Sequence, residues 1–261
     1  METKEIRLRG QDREIDGYLA LPDGDGKHPA IVVIHEIWGL DDHIRDIARR
    51  FTGQGFVALA PDLYTGEWRA AMDPQRIMAG MQFLRQAPPE IQRDPSRIET
   101  LEQFTPEERA ALRTLMRVMS PAQRAEFAAD AALAIDYLQG LPQVDRERVA
   151  CLGFCMGGGI TNRVAVRAED LWRAVVFYGE NPPLDAVPAI HAQVLGIYGG
   201  EDPRITDTVP DYAQAMEKAG KAFSYHIYPG APHAFFNNTR AATYRPQAAE
   251  QAWAEVLSFL R

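Results

Sequence analysis

Short apolar runs alternate with longer amphipathic stretches along most of this chain of 261 residues. Eight runs have the length and composition of strands, and the run AIVVI (30–34) is apolar throughout, as expected for a strand buried on both faces. Helices are predicted between them, at about 42–54, 156–167, 207–219 and 245–260. Strands that alternate with helices form a largely parallel sheet. We therefore predict an α/β fold with about eight mostly parallel strands and helices on both faces.

The segment from about 66 to 120 departs from this alternation, because it contains no convincing strand. Four residues that favour helix N-caps each precede a proline in or next to it: Asp73, Asp94, Thr105 and Ser120. Glu108 and Gln123 follow two of them at the third helical position, which predicts capping boxes. We interpret 66–120 as a helical cap inserted into a single domain that spans residues 1–261. The first two strands are expected to join near Gln11-Asp12.

Charge and composition limit the partners that this chain can have. It carries 28 Lys and Arg against 36 Asp and Glu, a formal net charge of −8. Such a surface repels nucleic acid, although local arginines can still bind a small anionic substrate. There is no apolar signal-peptide core and no run of about 18 apolar residues, so we expect a cytoplasmic protein without a membrane partner. The oligomeric state is left open, and a monomer fits the size.

Cysteine and histidine usage gives no sign of a metal site. The two cysteines, Cys151 and Cys155, lie four positions apart, and no second Cys/His cluster accompanies them. A strand-to-turn segment places such a pair poorly for a disulfide, and the spacing is not that of a zinc site. We expect neither a metal nor an organic cofactor.

The sequence GFCMG at 153–157 follows an apolar run and precedes a predicted helix. Hydrolases present their nucleophile on such a strand-to-helix turn, which needs small residues two positions before and after it; Gly153 and Gly157 fill these positions. The N–H groups of the new helix favour a thiolate at Cys155. Cys155 is therefore the candidate nucleophile, the alternative being a small cysteine packed in a glycine-rich bend. Cys151, within the strand, is predicted to lie in the core.

A nucleophile of this kind needs an acid and a histidine, in that chain order. His226 alternates within a predicted strand, whereas His233 lies in the loop after the last strand, where a catalytic histidine belongs. The acid is expected at the end of the preceding strand, where Glu201 and Asp202 are adjacent. We favour Asp202 because Asp-Pro starts a loop, and the sequence leaves Glu201 open.

An oxyanion hole needs one backbone N–H after the nucleophile and one from the loop after an earlier strand. The loop that begins in IHEIWG (34–39) follows the most apolar run. The candidate donors are therefore the N–H groups of Ile37 and Met156.

Together these residues resemble the dienelactone hydrolases (carboxymethylenebutenolidases) of the α/β-hydrolase superfamily. The resemblance covers nearly the whole chain and rests on HEIWGL and GFVALAPDLY, followed by GFCMGG, GGEDP and PGAPHAF. It implies an α/β-hydrolase fold and hydrolysis of a small lactone or ester by a Cys155–His233–Asp202 triad through an acyl-enzyme intermediate. It also implies a role for Glu36, since the corresponding glutamate of dienelactone hydrolases contacts the resting thiol and helps convert it to thiolate.

The substrate-binding residues match this family less well. The family clamps a substrate carboxylate with arginines, and Asn237 stands where the one after the triad histidine is expected. The arginine candidates are Arg240, three positions after Asn237, together with Arg69 and Arg204. Tyr64 and Trp68 either line an apolar pocket or pack within the cap. Because of the departure at Asn237, the resemblance implies hydrolysis of an ester or lactone but does not identify dienelactone as the substrate.

Two other functions remain possible at this point. One is a general carboxylesterase that acts on neutral esters, and the other is a non-catalytic ligand-binding protein of the same fold.

Overall fold

The computed structural model describes residues 1–10, 13–88, 90–91 and 94–261. Within them, eight strands form one sheet: β1 Glu2–Arg9, β2 Glu14–Leu21, β3 His28–Ile34, β4 Val57–Pro61, β5 Val144–Phe154, β6 Arg173–Phe177, β7 Gln193–Gly199 and β8 Phe223–Tyr228. Their order is β1-β2-β4-β3-β5-β6-β7-β8. β1 pairs antiparallel with β2 and β2 with β4, and all remaining pairs are parallel. The predicted α/β fold is confirmed, while the turn expected near Gln11 and Asp12 lies outside the described residues.

Helices cover both faces of this sheet. The described α-helices are α1 Asp42–Thr52, α2 Glu67–Ala71, α3 Pro74–Gln86, α4 Pro106–Met119, α5 Pro121–Gln139, α6 Met156–Arg167, α7 Pro203–Thr206, α8 Val209–Lys218 and α9 Pro246–Phe259; 3₁₀ helices occupy Pro95–Thr100 and Leu184–Ala189. α1 and α9 contribute to the core on one face, and α5, α6 and α8 to the core on the other. No helix among the described residues has both the length and the apolarity to span a membrane.

Strand β3 shows why the central strands read as continuous apolar runs. Val32 and Ile34 belong to the core on one face, and Ile31 and Val33 to the core on the other. All four are completely buried, so neither face of the strand tolerates a polar residue. Because β4, β3 and β5 to β8 run parallel, their carboxyl ends share one edge of the sheet. The loops that follow these strands meet there, as the candidate site requires.

The described part of the 66–120 segment consists of helices joined by short turns, without a strand, and it has a small apolar cluster of its own. Its buried members are Ala87, Ile91, Ile98, Leu101, Phe104 and Leu112. The capping box predicted at the start of α4 forms, because Thr105 Oγ1 accepts from the Glu108 N–H and the Glu108 carboxylate accepts from the Thr105 N–H. The assignment of this segment as an inserted cap remains a prediction.

The second predicted capping box, at the start of α5, is wrong. Ser120 Oγ accepts from the Gln123 N–H, as expected, but the Gln123 side chain donates to Glu126 instead of reaching back. The reason is that α4 ends at the residue before Ser120, so the Ser120 N–H already donates to the Arg117 carbonyl. One residue serves as the C-cap of α4 and the N-cap of α5.

Candidate active site

Cys155 stands on a very tight turn between β5 and α6. Its φ of 54° and ψ of −114° are strained for a residue with a side chain, and its N–H donates to the Phe177 carbonyl at 2.9 Å. A methyl group on Gly153 would lie 2.2 Å from the Gly157 carbonyl oxygen, and one on Gly157 would lie 2.5 Å from the His35 carbonyl oxygen. Glycine is therefore required on both sides, and the half-buried thiol projects from the turn at the start of a helix.

We expect Gly153→Ala to destabilise the fold, because its methyl group would overlap the backbone of α6. Overpacking of this kind costs about 3 kcal/mol of unfolding free energy, or more where backbone has to move. The matched control is Gly53→Ala, since Gly53 has an ordinary φ of −62° and its nearest neighbouring atom would lie 3.4 Å from the new methyl group. Urea unfolding of the two variants measures the difference, and equal stabilities would contradict the packing argument.

Asp202 and His233 are brought together by the ends of β7 and β8. The Nδ1 atom of His233 lies 2.5 Å from Oδ2 of Asp202, and Asp202 is buried. A methyl group on Gly199 would lie 2.5 Å from the Ala231 carbonyl oxygen, so the close approach of the two loops needs glycine there. The adjacent Glu201 is exposed. Of the two acids that the sequence left open, Asp202 is the one that contacts the histidine.

The pKa of His233 depends on Cys155 as well as on Asp202. Burial lowers the pKa of His233, but its interactions with Cys155 and Asp202 outweigh this effect and raise the pKa to about 10. The imidazole thus responds to both side chains, and it is hydrogen-bonded to the carboxylate. Such an arrangement can take a proton from the thiol and deliver it to a leaving group.

Glu36 is a buried carboxylate beside the histidine. Its Oε2 accepts from Asn237 Nδ2 at 2.6 Å and its Oε1 accepts from the Tyr178 hydroxyl at 3.3 Å. Burial raises the pKa of Glu36, and the hydrogen bond from Asn237 and the charge of His233 partly offset that rise. The hydrogen bonds of Glu36 thus go to an amide and a phenol, whereas the resemblance implied a contact with the thiol.

Asn237, which stands where an arginine was expected, is completely buried. Its Nδ2 donates to Glu36, and its Oδ1 accepts from both the N–H and the hydroxyl of Thr239. Both the nitrogen and the oxygen of its amide are hydrogen-bonded within the protein, and in this structure Asn237 serves as a hydrogen-bond donor to Glu36.

Tyr64 contacts both residues whose N–H groups are the candidate oxyanion donors, Ile37 and Met156. The Tyr64 hydroxyl donates to the Ile37 carbonyl at 3.0 Å and lies 3.7 Å from Met156 Sδ. Met156 is the first residue of α6, so its N–H has no partner in a preceding helical turn. Tyr64 is itself buried, and its hydroxyl links the residue Ile37 to the start of α6.

Two of the candidate arginines, Arg69 and Arg204, lie within salt-bridge distance of carboxylates of this chain. Arg69 lies 2.8 Å from both Asp16 and Asp62, and it lines a cavity of about 830 Å³ together with Trp38 and Tyr64. Arg204 is exposed, and its guanidinium lies 3.8 Å from the Glu180 carboxylate.

Trp68 packs between the 66–120 segment and α5. Its ring is buried against Phe127, and the guanidinium of Arg117 stacks over it at 4.4 Å. Of the two alternatives left open by the sequence, these contacts favour packing, although the aromatic partner of Trp68 belongs to α5 and not to the predicted cap.

Cys151 and His35 lie near the site, and their burial and contacts indicate that they support the fold. Cys151 is completely buried, and burial raises the pKa of its thiol to about 12. His35 is also buried, with Nδ1 2.5 Å from the Glu36 carbonyl and Nε2 accepting from the Leu63 N–H, and burial lowers its pKa. A neutral His35 that joins two loops explains both contacts. Among the described residues, no three His, Cys, Asp or Glu side chains are grouped as a metal site.

Sequence reasoning missed Tyr178, which directly follows β6. Three residues other than glycine have positive φ in the described chain, namely Cys155, Tyr178 at 39° and Ala234 at 61°. All three lie at this edge of the sheet. The ring of Tyr178 contacts that of His233 with centroids 5.1 Å apart, and its hydroxyl reaches Glu36. Its position at a strand end next to Gly179 was the one signal available in the sequence.

Comparison with known proteins places this geometry in context. Residues 15–261 match the model of the dienelactone hydrolase family. A protein of Saccharolobus solfataricus, provisionally named a carboxymethylenebutenolidase, is 38% identical over 99% of this chain and 98% of its own length. A Bradyrhizobium protein, provisionally named a 2-oxo-3-(5-oxofuran-2-ylidene)propanoate lactonase, is 30% identical over 100% of this chain and 94% of its own.

A solved structure is also similar to this chain over nearly its whole length. The crystal structure of a protein from Klebsiella pneumoniae, provisionally described as a dienelactone hydrolase, superposes with a TM-score of 0.75 at 28% identity. The alignment covers 99% of this chain and 98% of that one.

Proposed function

Because this chain belongs to the dienelactone hydrolase family and is therefore a hydrolase, we propose that it cleaves small lactones or carboxylic esters with a Cys155–His233–Asp202 triad. The observation that carries the proposal is the hydrogen bond between Asp202 and His233 at the carboxyl edge of the sheet, where Cys155 stands on its strained turn and acts on the pKa of His233. Each member follows a different strand, so the shared carboxyl edge of the sheet brings the three residues together.

The proposed reaction has two halves. His233 takes the proton of the Cys155 thiol, and the sulfur attacks the substrate carbonyl carbon, forming a C–S bond while the carbonyl electron pair moves to the oxygen. When this oxyanion collapses, the C–O bond to the leaving group breaks and His233 gives its proton to the departing oxygen. A water molecule, deprotonated by His233, then attacks the thioester and releases the acid and the Cys155 thiolate. Asp202 orients the imidazole and balances its positive charge throughout.

The N–H groups of Ile37 and Met156 are proposed to hold the oxyanion. Each such donor contributes roughly 3 kcal/mol to transition-state stabilisation. Glu36 is proposed to support thiolate formation, since its buried charge and that of His233 attract each other and favour the imidazolium.

The substrate class has two candidates. The lactonase name of the Bradyrhizobium relative favours a lactone that carries a carboxylate. Neutral esters are favoured by the neutral Asn237 beside Glu36 and by the pairing of Arg69 with Asp16 and Asp62. The test is steady-state hydrolysis of a dienelactone and of a neutral short-chain aryl ester by the purified protein. A higher kcat/KM for the lactone selects the first class and a higher value for the ester selects the second, while hydrolysis of neither would overturn the proposed function.

The raised pKa of His233 predicts a pH dependence of stability. The folded state holds this proton up to about pH 10, whereas an unfolded histidine releases it near pH 6.5. The contribution of His233 is therefore fully present below about pH 6.5 and is lost as the pH rises through about 10. We expect the unfolding free energy of the wild type to exceed that of His233→Gln by an amount that shrinks from pH 6 to pH 10. Urea titrations at several pH values measure this difference, and a constant or growing difference would contradict the ion pair.

A further inference from the structure

We propose that Tyr178 is a positioning residue of this site, whose hydroxyl orients the Glu36 carboxylate while its ring holds His233. The inference rests on the proposed function, in which Glu36 and His233 both act on the protonation of Cys155. It adds a residue at the end of β6 to those at the ends of β3, β5, β7 and β8.

Burial and hydrogen bonding are the first argument. Tyr178 is completely buried, and a buried phenol needs an acceptor. Its hydroxyl finds that acceptor in Glu36 Oε1, and Asn237 binds the other carboxylate oxygen. The two donors hold the carboxylate from two sides. The Tyr178 ring lies against His233 at an interplanar angle of 58°.

Backbone strain is the second and independent argument. A φ of 39° strains the backbone of a tyrosine, and such strain persists only where the surroundings enforce it. Here the Tyr178 N–H donates to the Ile197 carbonyl at 2.7 Å. The next residue, Gly179, packs so closely on Gly158 of α6 that a methyl group on it would lie 2.3 Å from the Gly158 carbonyl carbon. The strained turn therefore fixes Tyr178 relative to the helix that begins after the nucleophile.

The charges around Glu36 give the direction of the expected effect. The groups that act on this carboxylate are the amide of Asn237, the charges of His233 and Asp41, and the Tyr178 hydroxyl. Burial raises the pKa of Glu36 and Asp41 adds to the rise, whereas Asn237, His233 and Tyr178 oppose it. Removing the Tyr178 hydroxyl therefore moves the pKa of Glu36 further upward, and a higher pH is then needed to ionise it.

The experiment measures kcat/KM against pH on one neutral aryl ester, for the wild type, Tyr178→Phe, Glu36→Gln and the double variant. Phenylalanine keeps the ring and removes the hydroxyl. We expect Tyr178→Phe to shift the acidic limb to higher pH, with a loss of about 3- to 10-fold below its midpoint and little loss on the plateau. In the Glu36→Gln background the same substitution should shift nothing. Tyr225→Phe on β8, where the side chain is exposed, is the matched control and should match the wild type.

A second measurement, the pH dependence of Cys155 alkylation by iodoacetamide, does not need turnover. It should show the same shift in Tyr178→Phe. Equal losses at every pH, or the same shift in the Glu36→Gln background, would show that Tyr178 only packs. If Glu36→Gln keeps the wild-type profile, the role of Glu36 fails and the inference falls with it, while Cys155-dependent hydrolysis would still support the triad.

Discussion

Replacing Cys155 with alanine should abolish turnover, with kcat falling by about 10⁴-fold or more, as for removal of the nucleophile in other triad hydrolases. Without the sulfur no C–S bond can form, and the oxyanion donors alone give only residual catalysis. Cys151 cannot replace it, because that thiol is completely buried and its pKa is raised to about 12. The measurement is kcat on whichever of the lactone and the aryl ester the wild type hydrolyses better.

Cys151→Ala is the matched control for this variant. It removes the other thiol of the chain and should leave kcat within a few-fold of the wild type, with a loss of stability from the buried cavity. Circular dichroism checks that both variants fold. If Cys155→Ala keeps kcat within tenfold of the wild type, the covalent mechanism is wrong.

Asp202→Asn should lower kcat by about 10³- to 10⁴-fold while leaving the fold intact. The amide has nearly the same shape, but it removes the charge that balances the imidazolium and lets the ring adopt the wrong tautomer. It also removes one of the interactions that raise the pKa of His233, so the pH profile of kcat should change as well as its maximum.

Glu201→Gln is the control that separates the two adjacent acids. Glu201 is exposed, whereas Asp202 is buried at 2.5 Å from His233. We expect Glu201→Gln to keep kcat near the wild-type value. A larger loss in Glu201→Gln than in Asp202→Asn would reverse the assignment of the acid.

The features that could be predicted from sequence are those fixed by local rules. Apolar runs predicted the strands because both faces of the sheet are covered, as at Val32 and Val33. Glycines at 153 and 157 predicted a tight turn at Cys155 because no side chain fits there. The order of residues along the chain singled out His233 and favoured Asp202, since strand ends in a parallel sheet share one edge.

What could not be predicted depends on which loops meet. A single tyrosine after a strand has no distinguishing pattern, so Tyr178 became visible only through its backbone conformation and its contacts with Glu36 and His233. The engagement of Asn237 with Glu36 joins residues 201 positions apart. The pairing of Arg69 with Asp16 needs β2 to lie antiparallel to β4. Each depends on a distance between elements that no local rule sets.

The close contact of Gly158 with Gly179 limits how such an enzyme can change during evolution. A methyl group on Gly158 would lie 2.7 Å from the Phe177 carbonyl oxygen, and one on Gly179 would overlap Gly158. The packing next to Cys155 is thus made by backbone atoms, and a substitution of one side chain cannot reshape it. New substrate preferences have to arise from side chains elsewhere, such as Trp38 and the residues of the 66–120 segment, among them Arg69. The fold can acquire new specificities there without altering the platform on which the chemistry depends.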